Sequence, residues 1–275
     1  MTDTPAPPRP AATTVLLRAG APLEVFLVKR VATQRFMGGT HVFPGGRVDD
    51  ADHAAAARGL VRHPDAAGLA GRMGIPVDQA LAYVLAGCRE LLEEAGVLLV
   101  PGATAAQARQ LRAELDGGRA FSEAVAARGW TLHGGALRYF AHWVTPAFEP
   151  RRFTARFFAV ELPAGQEPVI DQQEAVEGRW FSPADAVAEH QRGGITLPPP
   201  TLCVLDGLAG HRTLADALRE PTEVPAVEPV LADDGGVPVL AFPGDPRHPV
   251  RRGVPGAPTR VVMRDGRFVA ERVQA

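Results

Sequence analysis

Cysteine is scarce: Cys88 and Cys203 are the only two in 275 residues. That excludes a disulfide framework and makes a reducing cytosol the default compartment. No run of 18 apolar residues occurs, so no membrane-spanning helix is expected. A charged-then-apolar leader is missing too, and the terminal Val-Gln-Ala is not a peroxisomal address. The chain therefore reads as soluble and cytoplasmic, with no membrane partner. Neither sign of charge dominates: the formal net charge is −2, which leaves no global field for nucleic acid or an anionic surface. The eight histidines show no H-x-x-x-H spacing, which argues against a zinc site. Lysine is almost absent, Lys29 being the only one. The other basic residues are arginines, whose guanidinium groups suit bidentate phosphate contacts.

What is present starts with 46% hydrophobic content, ample for a core. Residues 1–11, rich in proline and alanine, are expected to be disordered. Thr13–Arg18 and Leu23–Arg30 read as strands, followed by a basic loop, the short extended piece His41–Phe43, and the break Pro44-Gly45-Gly46. Residues 47–77 contain an alanine-rich helical piece and then repeated Gly and Pro interruptions. Asp78 reads as the N-cap of a helix from about Gln79 to Ala95, which Gly96 ends. Val97–Val100 is expected to be a strand, Thr104–Asp116 and Phe121–Arg128 helices. Leu137–Thr145, Phe153–Leu162 and Val176–Phe181 read as strands. Pro183–Gln191, capped by Ser182, and Thr201–Leu208 read as helices, with Leu214–Arg219 a continuation after a break. The last fifty or so residues are rich in Pro and Gly and end in a hairpin around Asp265-Gly266. The order implies a mixed sheet between helices, of α/β or α+β class. It divides the chain into the N-terminal piece, a domain at 12–220 and an extension at 221–275 with its hairpin at 260–272.

The stretch Arg89-Glu90-Leu91-Leu92-Glu93-Glu94-Ala95-Gly96-Val97 organises the rest. On a helix, Glu90, Glu93 and Glu94 share one narrow face, and Leu81, Val84, Leu85, Cys88, Leu91, Leu92 and Ala95 lie opposite. Like charges at i and i+4 cost a few tenths of a kcal/mol, roughly. A solvated acidic face is one explanation; a divalent cation site is the other. Ala86 and Gly87, one turn earlier, are expected to leave room for phosphate oxygens, so that Gly87→Leu would cut activity and spare the fold.

The helix and the Pro-Gly-Gly turn together resemble the signature of the Nudix hydrolases, G-x5-E-x7-R-E-U-x-E-E-x-G-U with U apolar. Its second half stands intact as Arg89–Val97; its first begins at Gly46 and reaches Asp52, an acid where the family has glutamate. Residues 53–88 then occupy the space of seven, an excess of about 29. Such an insertion resembles the peroxisomal acyl-coenzyme A diphosphatases and their bacterial relatives. The upstream motif of coenzyme A-cleaving members, L-L-T-x-R-S-x3-R-x3-G-x3-F-P-G-G, is matched in register by Leu27, Arg30, Arg35, Gly39, Phe43, Pro44, Gly45 and Gly46. Val28, Lys29 and Val31 depart from it. Trp143–Pro146, Arg151–Phe158, Glu174–Pro183 and Leu197–Pro200 also resemble that branch, so the likeness spans roughly residues 13–210.

The resemblance implies a Nudix fold: a mixed β-sheet sandwiched between helices, with a helical insertion in the box. It also implies cleavage of coenzyme A or acyl-CoA to 3′,5′-ADP and (acyl-)phosphopantetheine with Mg²⁺ or Mn²⁺. Polyanionic pyrophosphate repels a nucleophile, and hard cations bound by carboxylates relieve that repulsion. Glu93 and Glu94 are first-choice ligands, and Glu90 is a third ligand or the base. The family adds the carbonyl of Gly45, and Arg89 positions the acids. Substrate contacts are expected from Arg30, Arg35, Gly46, Arg156 and Glu174; Arg151, Arg152 and Glu177 are weighed beside them against solvated positions. Asp49, Asp50 and Asp52 read as loop or capping residues, with a metal-site role for Asp52 as the lesser alternative. The alternatives are a diphosphatase of ADP-ribose, NADH or nucleotide sugars, and a non-catalytic nucleotide-binding module. The insertion at 53–77 could close over the substrate, support a homodimer, or pack on the side.

Overall fold

In the computed structural model, residues 5–33, 37–170 and 175–273 are described. The centre is a mixed sheet. Strand β1 (Arg9–Arg18) runs parallel to β8 (Phe153–Glu161), which pairs antiparallel with β7 (Arg138–Val144). On its other side β1 meets β2 (Glu24–Arg30) only at Leu17–Arg18, and β2 carries β9 (Ala175–Phe181) on its far edge. Beyond that short contact two small strands fill the space between β1 and β2: β3 (His41–Val42) pairs with β2, and β4 (Gly45–Arg47) with β1. The turn at Phe43-Pro44 joins them.

Both faces of the sheet are covered, because its strands supply apolar side chains to each. One face carries Ala12, Leu16, Phe26, Val28 and Phe158 beneath α3 (Val77–Ala95). The other carries Val15, Leu17, Val25, Leu27 and Phe157 beneath α6 (Pro183–Arg192) and α7 (Pro199–Leu208). Helix α3 is buried nearly all round, including Glu94, and ends where Gly96 adopts φ 65°.

The insertion folds as α1 (Asp50–Ala57), β5 (Val61–Arg62) and α2 (Ala66–Met73). Ala55, Ala56, Leu69, Ala70 and Met73 join the core with α3, and β5 pairs with β6 (Leu132–His133). It packs beside α3, where α4 (Ala105–Asp116) and α5 (Phe121–Ala126) continue the layer.

Four expectations are corrected. Strand β1 reaches back to Arg9, inside the segment expected to be disordered, because β8 offers a parallel partner from Phe153 onward and Arg9 N–H donates to the Arg152 carbonyl (2.8 Å). Residues 97–99 form no strand. Gln166 takes both backbone groups of Leu98, at 2.9 Å each, in place of a ladder partner. Helix α3 begins at Val77, with Pro76 at the N-cap and Asp78 in the first turn, where its carboxylate suits the dipole. The C-terminal extension is more than a hairpin. β13 (Arg260–Arg264) and β14 (Arg267–Glu271) do form it, joined by β11 (Val230–Asp233) and β12 (Pro238–Ala241) in a four-stranded sheet. The short β10 (Ala226–Val227) extends the main sheet alongside β7, after the one-turn α8 (Leu214–Ala217). Buried Arg260 holds this unit through Asp245 (2.6 Å) and Asp234. No helix among the described residues is long and apolar enough to cross a membrane.

Candidate active site

The divergence of β1 and β2 places the Pro44-Gly45-Gly46 turn against the C-terminal half of α3. Pro44 anchors it, its carbonyl accepting from Thr14 N–H (2.8 Å). Gly45 N–H donates to Glu94 Oε2 (2.9 Å). Gly46 lies so close to Glu90 that a Cβ there would stand 2.6 Å from the carboxyl carbon. The turn is glycine because the Glu90 carboxylate fills the space a side chain at Gly46 would take, and the β1 backbone at Ala12 and Thr13 fills it at Gly45.

Arg89 ties the acids together. Its Nη1 donates to Glu90 Oε1 (2.7 Å) and Glu93 Oε2 (2.8 Å), and its Nε and Nη2 grip Asp52 at 3.0 and 2.9 Å. Nη2 also reaches the Arg47 carbonyl (2.8 Å). Burial works against the Arg89 charge, but Asp52, Glu90 and Glu93 together hold it firmly protonated. Glu94, 6% exposed, faces Arg30 at 3.6 Å. Burial pushes Glu90 up to about 7, with Glu93 and Asp52 adding to the shift and Arg89 opposing it. The acids are thus an arginine-compensated cluster in which Asp52 and Glu94 are buried and Glu90 and Glu93 partly so, rather than a fully solvated helical face.

Among the described residues, no three His, Cys, Asp or Glu side chains converge as a ready metal cage. The donor chemistry nevertheless fits a hard cation. Mg²⁺ needs only one or two carboxylates when waters and substrate phosphates complete its shell, and carboxylates are what this cluster offers.

Asp52 is the residue that sequence reasoning undervalued. It does cap α1, accepting from Asp49 N–H (2.9 Å), but its second task is the two-point grip on Arg89. The signal was its place six residues after Gly46, where the signature has an acid. Asp52→Asn is expected to lower kcat/KM by about 10- to 100-fold, because outer partners orient the groups that do the work. Steady-state kinetics beside a melting curve would check it.

Other expected residues fall elsewhere. Arg35 and Glu174 lie outside the described residues. Arg156 is buried beneath Tyr83 of α3, apart from the acids. Glu177 pairs with Arg179 (3.4 Å) across from Lys29 and His41. His41 is buried against Phe181, and burial lowers its pKa to about 4. Arg151 is exposed; Arg152 ties Glu228 to the Thr145 and Ala6 carbonyls, a structural role. The expectation for Ala86 and Gly87 is overturned. Ala86 is fully buried, and Gly87 faces the sheet, where a Cβ would meet Thr14 Oγ1 at 3.2 Å and Leu137 Cδ1 at 3.4 Å. Gly87→Leu should therefore overpack the core, lowering stability by about 1–3 kcal/mol and melting by several degrees, a loss that thermal denaturation would read.

Comparison with known proteins gives a consistent set of matches. The family model described as the NUDT19 Nudix domain matches residues 7–208. A protein named putative nudix hydrolase 7, from Caenorhabditis elegans, is 29% identical over 72% of this chain and 60% of its own length. One named acyl-coenzyme A diphosphatase NUDT19, from Gallus gallus, is 28% identical over 86% of this chain and 79% of its own. The chain thus spans about 60% of the worm relative. Among solved structures, a Nudix hydrolase from Alicyclobacillus acidocaldarius is 30% identical, with a TM-score of 0.64 over 78% of this chain and 96% of that one.

Proposed function

The chain belongs to the Nudix hydrolases, and from that premise we propose that it cleaves the pyrophosphate of coenzyme A or an acyl-CoA, releasing 3′,5′-ADP and (acyl-)phosphopantetheine. The observation that carries the reading is the meeting of the Gly45-Gly46 turn with Glu90 and Glu94. A bare backbone beside clustered carboxylates is what a cation and a phosphate chain need to approach together. The substrate class draws support from the acyl-CoA diphosphatase names among the relatives and from the Leu27–Gly46 register.

Glu93 and Glu94 are the carboxylates assigned to Mg²⁺ or Mn²⁺, with Glu90 a third or the acceptor of the attacking water's proton. Bound there, the ion supplies charge neutralisation and a more acidic water. Gly45 donates its N–H toward Glu94 rather than to β1. In an extended residue the carbonyl leaves on the same edge, which supports its assignment as a further ligand. Arg89, fixed by Asp52, holds Glu90 and Glu93 in place, and Arg30 holds Glu94.

The test is product formation from coenzyme A, an acyl-CoA, NADH and ADP-ribose with Mg²⁺, each repeated with EDTA. Turnover of the coenzyme A compounds, abolished by EDTA, is the expected result. Preference for NADH or ADP-ribose would overturn the substrate, and binding without turnover on any of them would favour a non-catalytic module.

A further inference from the structure

Arg156 is 5% exposed and, among the described residues, forms no ion pair with a carboxylate. The two other buried arginines among the described residues contrast with it: Arg152 pairs with Glu228, and Arg260 with Asp245 and Asp234. Among the described residues Arg156 has only neutral company. Its Nη1 donates to Tyr139 Oη (3.0 Å), and its guanidinium lies 5.1 Å from the ring of Tyr83 and 5.7 Å from that of Tyr139. Its Nε is shielded and has no hydrogen-bond partner. His142, opposite it on β7, is spent on Thr154 Oγ1 (2.7 Å); burial, and then Arg156 itself, hold its pKa down to about 4, so it adds no charge. A buried, uncompensated cation is costly, and two aromatic rings offset only part of that. Among the described residues the arrangement lacks an anion.

Its distance from the acids indicates which anion. Gly46, Ala12 and Arg156 form one cross-strand row over β4, β1 and β8. Two strand spacings of about 4.8 Å separate the ends of that row, roughly 10 Å, and paired residues share a face. On the helix above, Tyr83 stands two turns, again about 10 Å, before Glu90. One small molecule spans that distance. Because the pyrophosphate under attack belongs at Glu90–Glu94, the group at Arg156 is a different one.

We propose that Arg156, with the Tyr139 hydroxyl and the Tyr83 ring, seats a second anionic group of the substrate, a phosphomonoester distinct from the pyrophosphate that is cleaved. Its identification as the 3′-phosphate of a coenzyme A compound rests on the function proposed above; the anion site itself does not. Arg156 is then a specificity residue, conferring a preference for substrates that carry the extra phosphate.

The experiment uses the full chain and its Arg156→Met and Arg156→Lys variants, with melting in 3′,5′-ADP, 5′-AMP or inorganic phosphate and kinetics on coenzyme A and dephospho-coenzyme A. The ligand-free Met variant is expected to melt no lower than the wild type, since it loses a charge that has no partner. 3′,5′-ADP should raise the wild-type melting point more than 5′-AMP does, and the Met variant should lose that difference. KM for coenzyme A should rise about tenfold in Met, toward that for dephospho-coenzyme A, with kcat within twofold; Lys should fall between. Ligand-free melting that drops in Met with the 3′,5′-ADP preference intact would assign Arg156 to structure and overturn the proposal. Equal stabilisation by 3′,5′-ADP and 5′-AMP, with protection by inorganic phosphate, would assign a site for free phosphate and overturn it as well. If neither coenzyme A compound is turned over, the proposed function fails, and the comparison of the two nucleotides still decides the anion site.

Discussion

Glu94→Gln is expected to lower kcat by about 10³-fold, some 4 kcal/mol of transition-state stabilisation, while the protein still folds. Glu94 meets the turn and the upstream arginine at once: Oε2 accepts from Gly45 N–H at 2.9 Å, and Oε1 faces Arg30 at 3.6 Å. Glutamine keeps the size of the side chain and an oxygen for the Gly45 N–H, so the β4–α3 contact survives. What it loses is the charge, together with the ability to hold a hard cation beside a phosphate. Weakening the Arg30 contact costs about 1 kcal/mol, or a few degrees of melting. The measurement is kcat and the apparent Mg²⁺ affinity beside a melting curve. Activity within tenfold of wild type, at any Mg²⁺ concentration, would remove Glu94 from the site.

How much of this was legible in the sequence depended on how local the cause was. The α3 acids, Gly96 as its end and the Gly45-Gly46 turn are local patterns, and each stands where its spacing put it. Asp52 kept its distance from Gly46 despite the insertion because the extra residues enter after it, within α1, and return at the start of α3. Apart from the start of α3, the errors came from long-range partners. Nothing near residues 97–99 announces that Gln166 will hold Leu98, 68 positions away. Nothing near Arg9 announces β8. β11 and β12 are short and bordered by Pro and Gly, so their pairing depends on β13 rather than on their own composition. The helical wheel correctly put Glu90 and Glu94 on one side of α3. It could not say that this side faces a sheet, because sidedness belongs to packing and not to periodicity. For the same reason Gly87, read as open space above a cation, is in fact a close approach to Thr14.

Gly46→Ala should separate position from chemistry. The added Cβ would stand 2.6 Å from both Cδ and Oε2 of Glu90, too near for any real contact. The atoms in its way are the far end of a side chain, so the carboxylate moves and the backbone stays. Glu90 cannot move far without stretching its 2.7 Å bond to Arg89 Nη1, which Asp52 anchors from the other side. A shift of about 1 Å in a reacting group costs on the order of 10²-fold. The expected result is therefore kcat lower by about 10²-fold, with melting within a few degrees of wild type. Gly45→Ala is the contrast. There the Cβ would lie 2.8 Å from Thr13 Cα, a backbone atom that cannot swing aside. Its main effect should be lost stability, with β4 forced off β1. Parallel kinetics and melting on the two variants test the pair. If Gly46→Ala loses stability as Gly45→Ala does and keeps its rate, then Glu90 is not held against the turn for catalysis, and the role given to the Arg89–Asp52 grip goes with it.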